Sequence, residues 1–214
     1  MKTDRLLTEL RKIEANLLTD EPAAYIALQN LIDEVEEEIR DEANRESGKG
    51  SIAKAAQSIL KMAVKVNNGR ECLHKAYRTS RSLNVCDGFR AVRFNLDTAP
   101  VLPEHPASYK DYPDIDRIIG STVNNTVTIN VPSRASLVAY IKTEKARLKA
   151  KKDKSDVRLI MTDGYGRAVH VNAEFLLDML DALPGATVTV DPRRLKTAML
   201  YFKAENGDGV LCLC

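Results

Sequence analysis

Apolar residues recur at helical spacing over the first third of the chain and at alternating positions over much of the rest. Leu6, Leu7, Leu10, Ile13, Leu17 and Leu18 share one stripe and predict a helix over about 4–19. Asp20-Glu21-Pro22 stops it and opens a second helix running to about Ala43, with Asp20 as N-cap and proline in the first turn. Ile26, Ile32, Val35 and Ile39 form its expected buried side; Glu34, Glu36, Glu37, Glu38, Asp41 and Glu42 form its wet side. The pair makes an αα-hairpin whose narrow stripes suit packing on each other, on the body or on a second copy. Ser51 then caps a third helix over about 52–66, with Ile52, Ala56, Ile59, Ala63 and Val66 inside and Lys54, Lys61 and Lys65 outside; Asn67-Asn68-Gly69 ends it.

Strands are expected at about 71–78, 83–86 and 90–95. Pro100, Pro103, Pro106 and Pro113 break up the next stretch, which reads as a connector without regular structure. Val123 to Val131 alternates as a strand, Ser133 opens a helix over about 134–151, and strands follow at about 157–161 and 167–171. Asn172 caps a helix over about 173–183, with Phe175, Leu176, Met179, Leu180 and Leu183 facing the core. Strands at about 186–190, 196–204 and 209–214 close the chain, the last two joined by Asn206-Gly207-Asp208-Gly209. The order from residue 120 is β-α-β-β-α-β-β-β, an α+β arrangement with helices on an antiparallel or mixed sheet. The expected organisation is an acidic helical hairpin (1–50), a half unit (51–98), a Pro-rich connector (99–119) and an α+β domain (120–214).

One short pattern occurs twice. Val85-Cys86-Asp87-Gly88-Phe89-Arg90-Ala91-Val92 and Met161-Thr162-Asp163-Gly164-Tyr165-Gly166-Arg167-Ala168-Val169 each place Asp-Gly, an aromatic and an arginine between two apolar strands. Asp-Gly in that setting marks a hairpin, since both turn positions tolerate positive φ. The recurrence suggests one α/β unit used more than once. Asp87 and Asp163 are first of all turn residues, and Arg90 and Arg167 are expected to pair with local carboxylates or a partner.

Charge sharpens the division. The net charge of +2 conceals seven Lys/Arg against thirteen Asp/Glu in residues 1–50, leaving a basic remainder. Such a body suits internal pairing, self-association or nucleic-acid contact. No run is long and apolar enough to span a bilayer, and the N-terminus does not read as a secretory signal, so a cytoplasmic protein is expected. The four cysteines, Cys72, Cys86, Cys212 and Cys214, form no Cys-x-x-Cys and read as buried free thiols. His74, His105 and His170 are scattered outside any metal-ligand pattern, and no phosphate loop, dinucleotide fingerprint or nucleophile elbow occurs. No enzyme, metal or cofactor is expected.

Several of these motifs resemble those of the bacterial sliding clamp, the β subunit of the replicative DNA polymerase. Cys86-Asp87-Gly88-Phe89-Arg90-Ala91 stands where clamps carry an Asp-Gly-His-Arg strand motif, with Phe89 in place of the histidine. Tyr112-Pro113-Asp114-Ile115-Asp116-Arg117 is similar to the link between consecutive clamp domains, and Asn172 to Leu183 resembles the Asn-capped helix of the last one. The resemblance covers roughly residues 51–214. It implies a clamp-like body, helices that face DNA with Lys and Arg, and a protein-binding groove at Gly88, Arg90, Val210, Leu211 and Cys212.

The residues read by themselves add a basic stripe, Arg134, Lys142, Lys145, Lys149 and Lys152, beside the apolar stripe of Leu137, Ile141 and Leu148. With Lys54 and Lys61 it is the candidate DNA surface, suited to sequence-independent phosphate contact. The expected function is non-enzymatic binding of duplex DNA and a protein partner, with assembly of copies through the N-terminal helices and an origin in a phage or mobile element. The alternative is a counter-defence inhibitor of the anti-CRISPR kind, which blocks a host nuclease or replication protein through Glu36, Glu37 and Glu38.

Overall fold

The computed structural model describes residues 3–17, 21–66, 70–122, 124–191, 193 and 199–213. Expectations resting on Leu18, Asp20, Asn67, Asn68, Gly69, Val123 and Cys214, and on residues 196–198 of the penultimate strand, lie outside them. The chain divides into two compact units, Met1–Gly50 and Ser51–Cys214.

The first unit is the helical hairpin, α1 (Thr3–Leu17) and α2 (Glu21–Glu46). Ile13, Ala24 and Leu31 are buried between the helices, with Leu6, Ala27 and Val35 packed against them. This corrects the expected buried side of α2. Val35 is half-buried, but Ile26, Ile32 and Ile39 are 60%, 42% and 63% exposed. The small side chains of Ala24 and Ala27 give α1 a closer approach than the isoleucines, so the alanine-bearing side wins the contact.

The second unit is built on a seven-stranded sheet backed by helices, an α+β fold. It comprises α3 (Gly50–Val66), β1 (Tyr77–Arg78), β2 (Ser82–Cys86), β3 (Arg90–Asn95), α4 (Ile115–Gly120), β4 (Val127–Thr128), α5 (Arg134–Ala150), β5 (Arg158–Thr162), β6 (Ala168–Asn172), α6 (Ala173–Ala182), β7 (Thr187–Val190), β8 (Met199–Ala204) and β9 (Gly207–Cys212). From residue 120 onward the order is the expected one. The sheet runs β1-β2-β3-β9-β8-β7-β4, antiparallel throughout, and β5-β6 form a separate hairpin.

The pairing of β3 with β9 joins the first strands to the last, with Arg90 opposite Leu211 and Val92 opposite Gly209. The stretch expected as a half unit and the stretch expected as a terminal domain therefore share one sheet. Alternation along these strands gives the sheet two different faces. Leu83, Val85, Val92, Phe94, Leu200, Phe202 and Leu211 join the helices α3, α5 and α6 in the main core. Cys86, Ala91 and Val210 pack on the other face with Leu73, Ile115 and Ile119.

Local boundaries show where sequence signals were decisive. Ser133 Oγ accepts from Ser136 N at the start of α5, and Asn172 Oδ1 accepts from Glu174 N and Phe175 N at the start of α6, as their positions predict. Ser51 does not cap α3, because the helix already begins at Gly50, and Val66, expected inside, is exposed at the helix end. Residues Glu71–Leu73 form a single 3-10 turn, so the strand expected from 71 is only Tyr77–Arg78. The connector is not wholly irregular: Asp114 accepts from Arg117 N and caps α4. Among the described residues of the alternating Val123–Val131 run, only Val127–Thr128 form a strand. The last hairpin turns at Glu205-Asn206, not at Gly207-Asp208, with Ala204 opposite Gly207. Gly207 begins β9 because a Cβ there would lie 2.2 Å from the Arg93 carbonyl oxygen, so only glycine admits the close approach.

Candidate functional site

The twin Asp-Gly turns carry the same local chemistry on different loops. Asp87 Oδ1 accepts from the backbone N of Phe89 and Arg90 at 2.8 and 2.7 Å, while Oδ2 accepts from Arg90 Nε at 2.8 Å. Asp163 Oδ1 accepts from the backbone N of Tyr165 and Arg167, both at 2.9 Å, and Oδ2 accepts from Arg167 Nε at 2.8 Å. Each aspartate fastens its turn with one oxygen and its arginine with the other. Neither aspartate has positive φ. That conformation falls to Gly88 (φ 89°) in the two-residue turn and Gly166 (φ 76°) in the three-residue turn. The Asp163 carboxyl is pushed up by burial, but the hydrogen bonds from Arg167 and Tyr165 outweigh this and hold it below its ordinary range.

The arginines have different fates. Arg90 is wholly buried, its guanidinium reaching Asp178 of α6 at 2.5 Å and lying 4.1 Å above the Phe175 ring. Ser58 of α3 donates to the same Asp178 oxygen at 2.7 Å. The first turn thus ties β3 to two helices. Arg167 is half-exposed and lies over Tyr165 of its own turn. The sequence expectation of pairing with local carboxylates describes both.

Beyond the Asp87 turn, on the sheet face away from the main core, lies a pocket of about 470 Å³. Its apolar wall is Leu73, Ala91, Ile118, Met199 and Val210, with Cys86 and Cys212 beside them. Gly88, Arg90, Val210 and Cys212, four of the five residues expected in a protein-binding groove, line it together. The fifth does not: Leu211 alternates to the opposite face and is buried in the main core. Arg70 and Arg117 stand at the rim, exposed and without a carboxylate partner among the described residues. Among the described residues no aspartate or glutamate lines the pocket. Burial pushes the Cys86 thiol up to about 11, partly offset by the hydrogen bond that its sulfur accepts from Gly88 N. Next to it, Tyr112 donates to the Asn84 carbonyl at 3.2 Å, and burial holds its phenol well above its ordinary range. Arg70, Leu73, Ile118 and Met199 come from separate segments, and no local pattern marked them.

The basic residues are not one free surface. Arg134 binds Asp181 of α6 through Nε and Nη2 at 2.7 and 2.9 Å, and Lys145 meets Glu174 of α6 at 2.5 Å. These two cations hold α5 against α6. Lys142, Lys149 and Lys152 are exposed and carry no ion pair among the described residues. Lys54 and Lys61 are likewise exposed, on the side of α3 opposite the buried Ala56, Ile59 and Ala63.

The remaining candidates are dispersed. Glu36 pairs with Arg40 at 3.1 Å, Glu37 is exposed, and Glu38 lines a groove of the helical hairpin. His105 bonds the Cys72 carbonyl through Nε2 at 2.9 Å and stacks on Tyr109; His74 and His170 take no part in the pocket. Among the described residues no helix is long and apolar enough to cross a membrane.

No protein-family model, curated protein or solved structure matches the chain significantly.

Proposed function

We propose that this chain is a non-enzymatic, clamp-like binding protein that recruits a partner by seating an apolar segment bearing a carboxylate in the pocket at Cys86, Ala91, Val210 and Cys212. The observation that carries this reading is an apolar wall rimmed by the guanidinium groups of Arg70 and Arg117, with no acidic residue among the described ones lining the pocket to neutralise them. Apolar side chains of a peptide would gain from burial against Leu73, Ile118 and Met199, while Arg70 and Arg117 would bind its carboxylate and fix its direction. The exposed Lys142, Lys149 and Lys152, together with Lys54 and Lys61, supply a weaker second function: sequence-independent attraction to duplex DNA.

Selection of a phage-displayed library of random linear peptides on the full chain tests the pocket. The expected outcome is a set of peptides pairing large apolar residues with Asp, Glu or a free C-terminus, lost when Arg70 and Arg117 are both replaced by glutamate. Both residues are exposed, so the variant keeps the fold. An empty selection, or peptides indifferent to the reversal, would overturn the reading.

A further inference from the structure

Two of the isoleucines that α1 leaves uncovered, Ile32 and Ile39, form an ordered stripe on α2 with Tyr25. Tyr25, Ile32 and Ile39 recur every seven residues and are 67%, 42% and 63% exposed, with Leu28 beside them at 38%. A seven-residue recurrence of large apolar side chains is the pattern by which one helix packs along another. The side of α2 used by α1, through Ala24 and Leu31, is a different one.

Two observations identify the helix that covers it. The first is charge. Residues 21–31 of α2 hold one carboxylate, Glu21, whereas residues 32–46 hold eight, against Arg40 and Arg45. Two such helices side by side and parallel would set the acidic halves together. Antiparallel, each acidic half meets a nearly neutral one. The second is shape. The stripe is symmetric about Ile32, so a two-fold axis there sets Tyr25 of one helix against Ile39 of the other, and the reverse. At Ile39 the hairpin has an open groove of about 610 Å³, lined by Leu6, Val35 and Ile39 with Glu38, Asp41, Glu42 and Arg45 around it. Tyr25 offers a large exposed ring and a hydroxyl to such a groove.

We infer that α2 is a homodimer interface in which two copies of the chain pair antiparallel about Ile32, each seating its Tyr25 in the groove at Ile39 of the other. The inference does not depend on the pocket or on DNA. A dimer places two identical body units on one assembly, so a partner or a DNA segment bound weakly by one is bound by two at once.

Sedimentation equilibrium of the full chain tests it. The wild-type protein is expected at twice 23.8 kDa at micromolar concentration. Ile32→Glu, which sets two carboxylates at the axis, is expected to weaken the dimer at least about tenfold, and Tyr25→Ala by a similar factor. Both side chains are exposed, so helicity by circular dichroism stays at the wild-type level. Orientation is read by bismaleimide cross-linking over the background of the native thiols: Ile32→Cys cross-links copy to copy, Ile39→Cys alone does not, and the pair Tyr25→Cys with Ile39→Cys does. A monomeric wild-type chain, a dimer unmoved by Ile32→Glu, or efficient cross-linking of Ile39→Cys to itself would each overturn the proposal.

Discussion

Arg90 and Asp178 lie far apart in the chain and meet 2.5 Å apart beneath the helices. That contact makes the Asp87 turn part of the core. The twin turn keeps its arginine half-exposed over Tyr165, although the two turns share the same aspartate hydrogen bonds.

The two arginines are therefore expected to differ in their contribution to stability. Arg90→Met keeps the stem but leaves Asp87, which is fully buried, without its cation. Breaking a buried pair on one side costs about 3–5 kcal/mol. Arg167→Met also leaves a buried carboxylate, that of Asp163, but on a half-exposed side that water reaches, and is expected to cost less, about 1–3 kcal/mol. Urea denaturation of the full chain compares them, and equal midpoints would contradict the buried role of Arg90.

Alkaline pH is expected to loosen the second unit. The folded Cys86 thiol is raised to about 11 by burial, above the roughly 8.5 of an unfolded cysteine. A raised folded value means that the stabilisation is complete below the unfolded value and drains away as pH climbs through the folded one. Tyr112 adds a loss of the same sign at still higher pH. The urea midpoint is expected to hold steady to about pH 8 and then fall, with Cys86→Ala removing the first part of the fall. In the folded chain iodoacetamide is expected to spare Cys86 and modify the half-buried Cys72 and Cys212. Rapid native labelling of Cys86 would contradict its buried placement.

Electrostatic DNA binding divides the basic residues into two groups. Replacing Lys142, Lys149 and Lys152 by alanine is expected to weaken binding equally for all duplex sequences and to reduce the slope of log K against log salt by up to about 3. Arg134 and Lys145 are engaged with Asp181 and Glu174, so their loss is expected to act on the α5–α6 contact more than on the slope. Fluorescence anisotropy of a labelled duplex across a salt series measures both. Absence of binding at low salt removes the DNA half of the proposal.

Much of the fold was legible because its signals are local. Ser133 and Asn172 announce their helices, and the β-α-β-β-α-β-β-β order follows from alternation broken by caps and glycines. The pairing of β3 with β9 was not legible, since nothing near Arg90 names Leu211 as its neighbour. The buried side of α2 was misjudged because the helix carries two apolar sides, and residue size alone favoured the isoleucines over Ala24 and Ala27. The pocket was legible in part. Gly88, Arg90, Val210 and Cys212 converge on it, but Leu211, adjacent to two of them, points the other way by strand alternation. Arg70 and Arg117, which give the pocket its sign of charge, come from a 3-10 entry and a short helix with no shared pattern.

The most direct measurement is a calorimetric titration of one display-selected acidic-apolar peptide into the full chain and into the Arg70→Glu, Arg117→Glu variant. The wild-type chain is expected to bind one peptide per copy, at least about tenfold more tightly than the variant, with Cys212 slowed in its reaction with iodoacetamide when the peptide is bound. Equal affinity for the two chains, or unchanged Cys212 reactivity in the bound state, would contradict a carboxylate-bearing segment in this pocket.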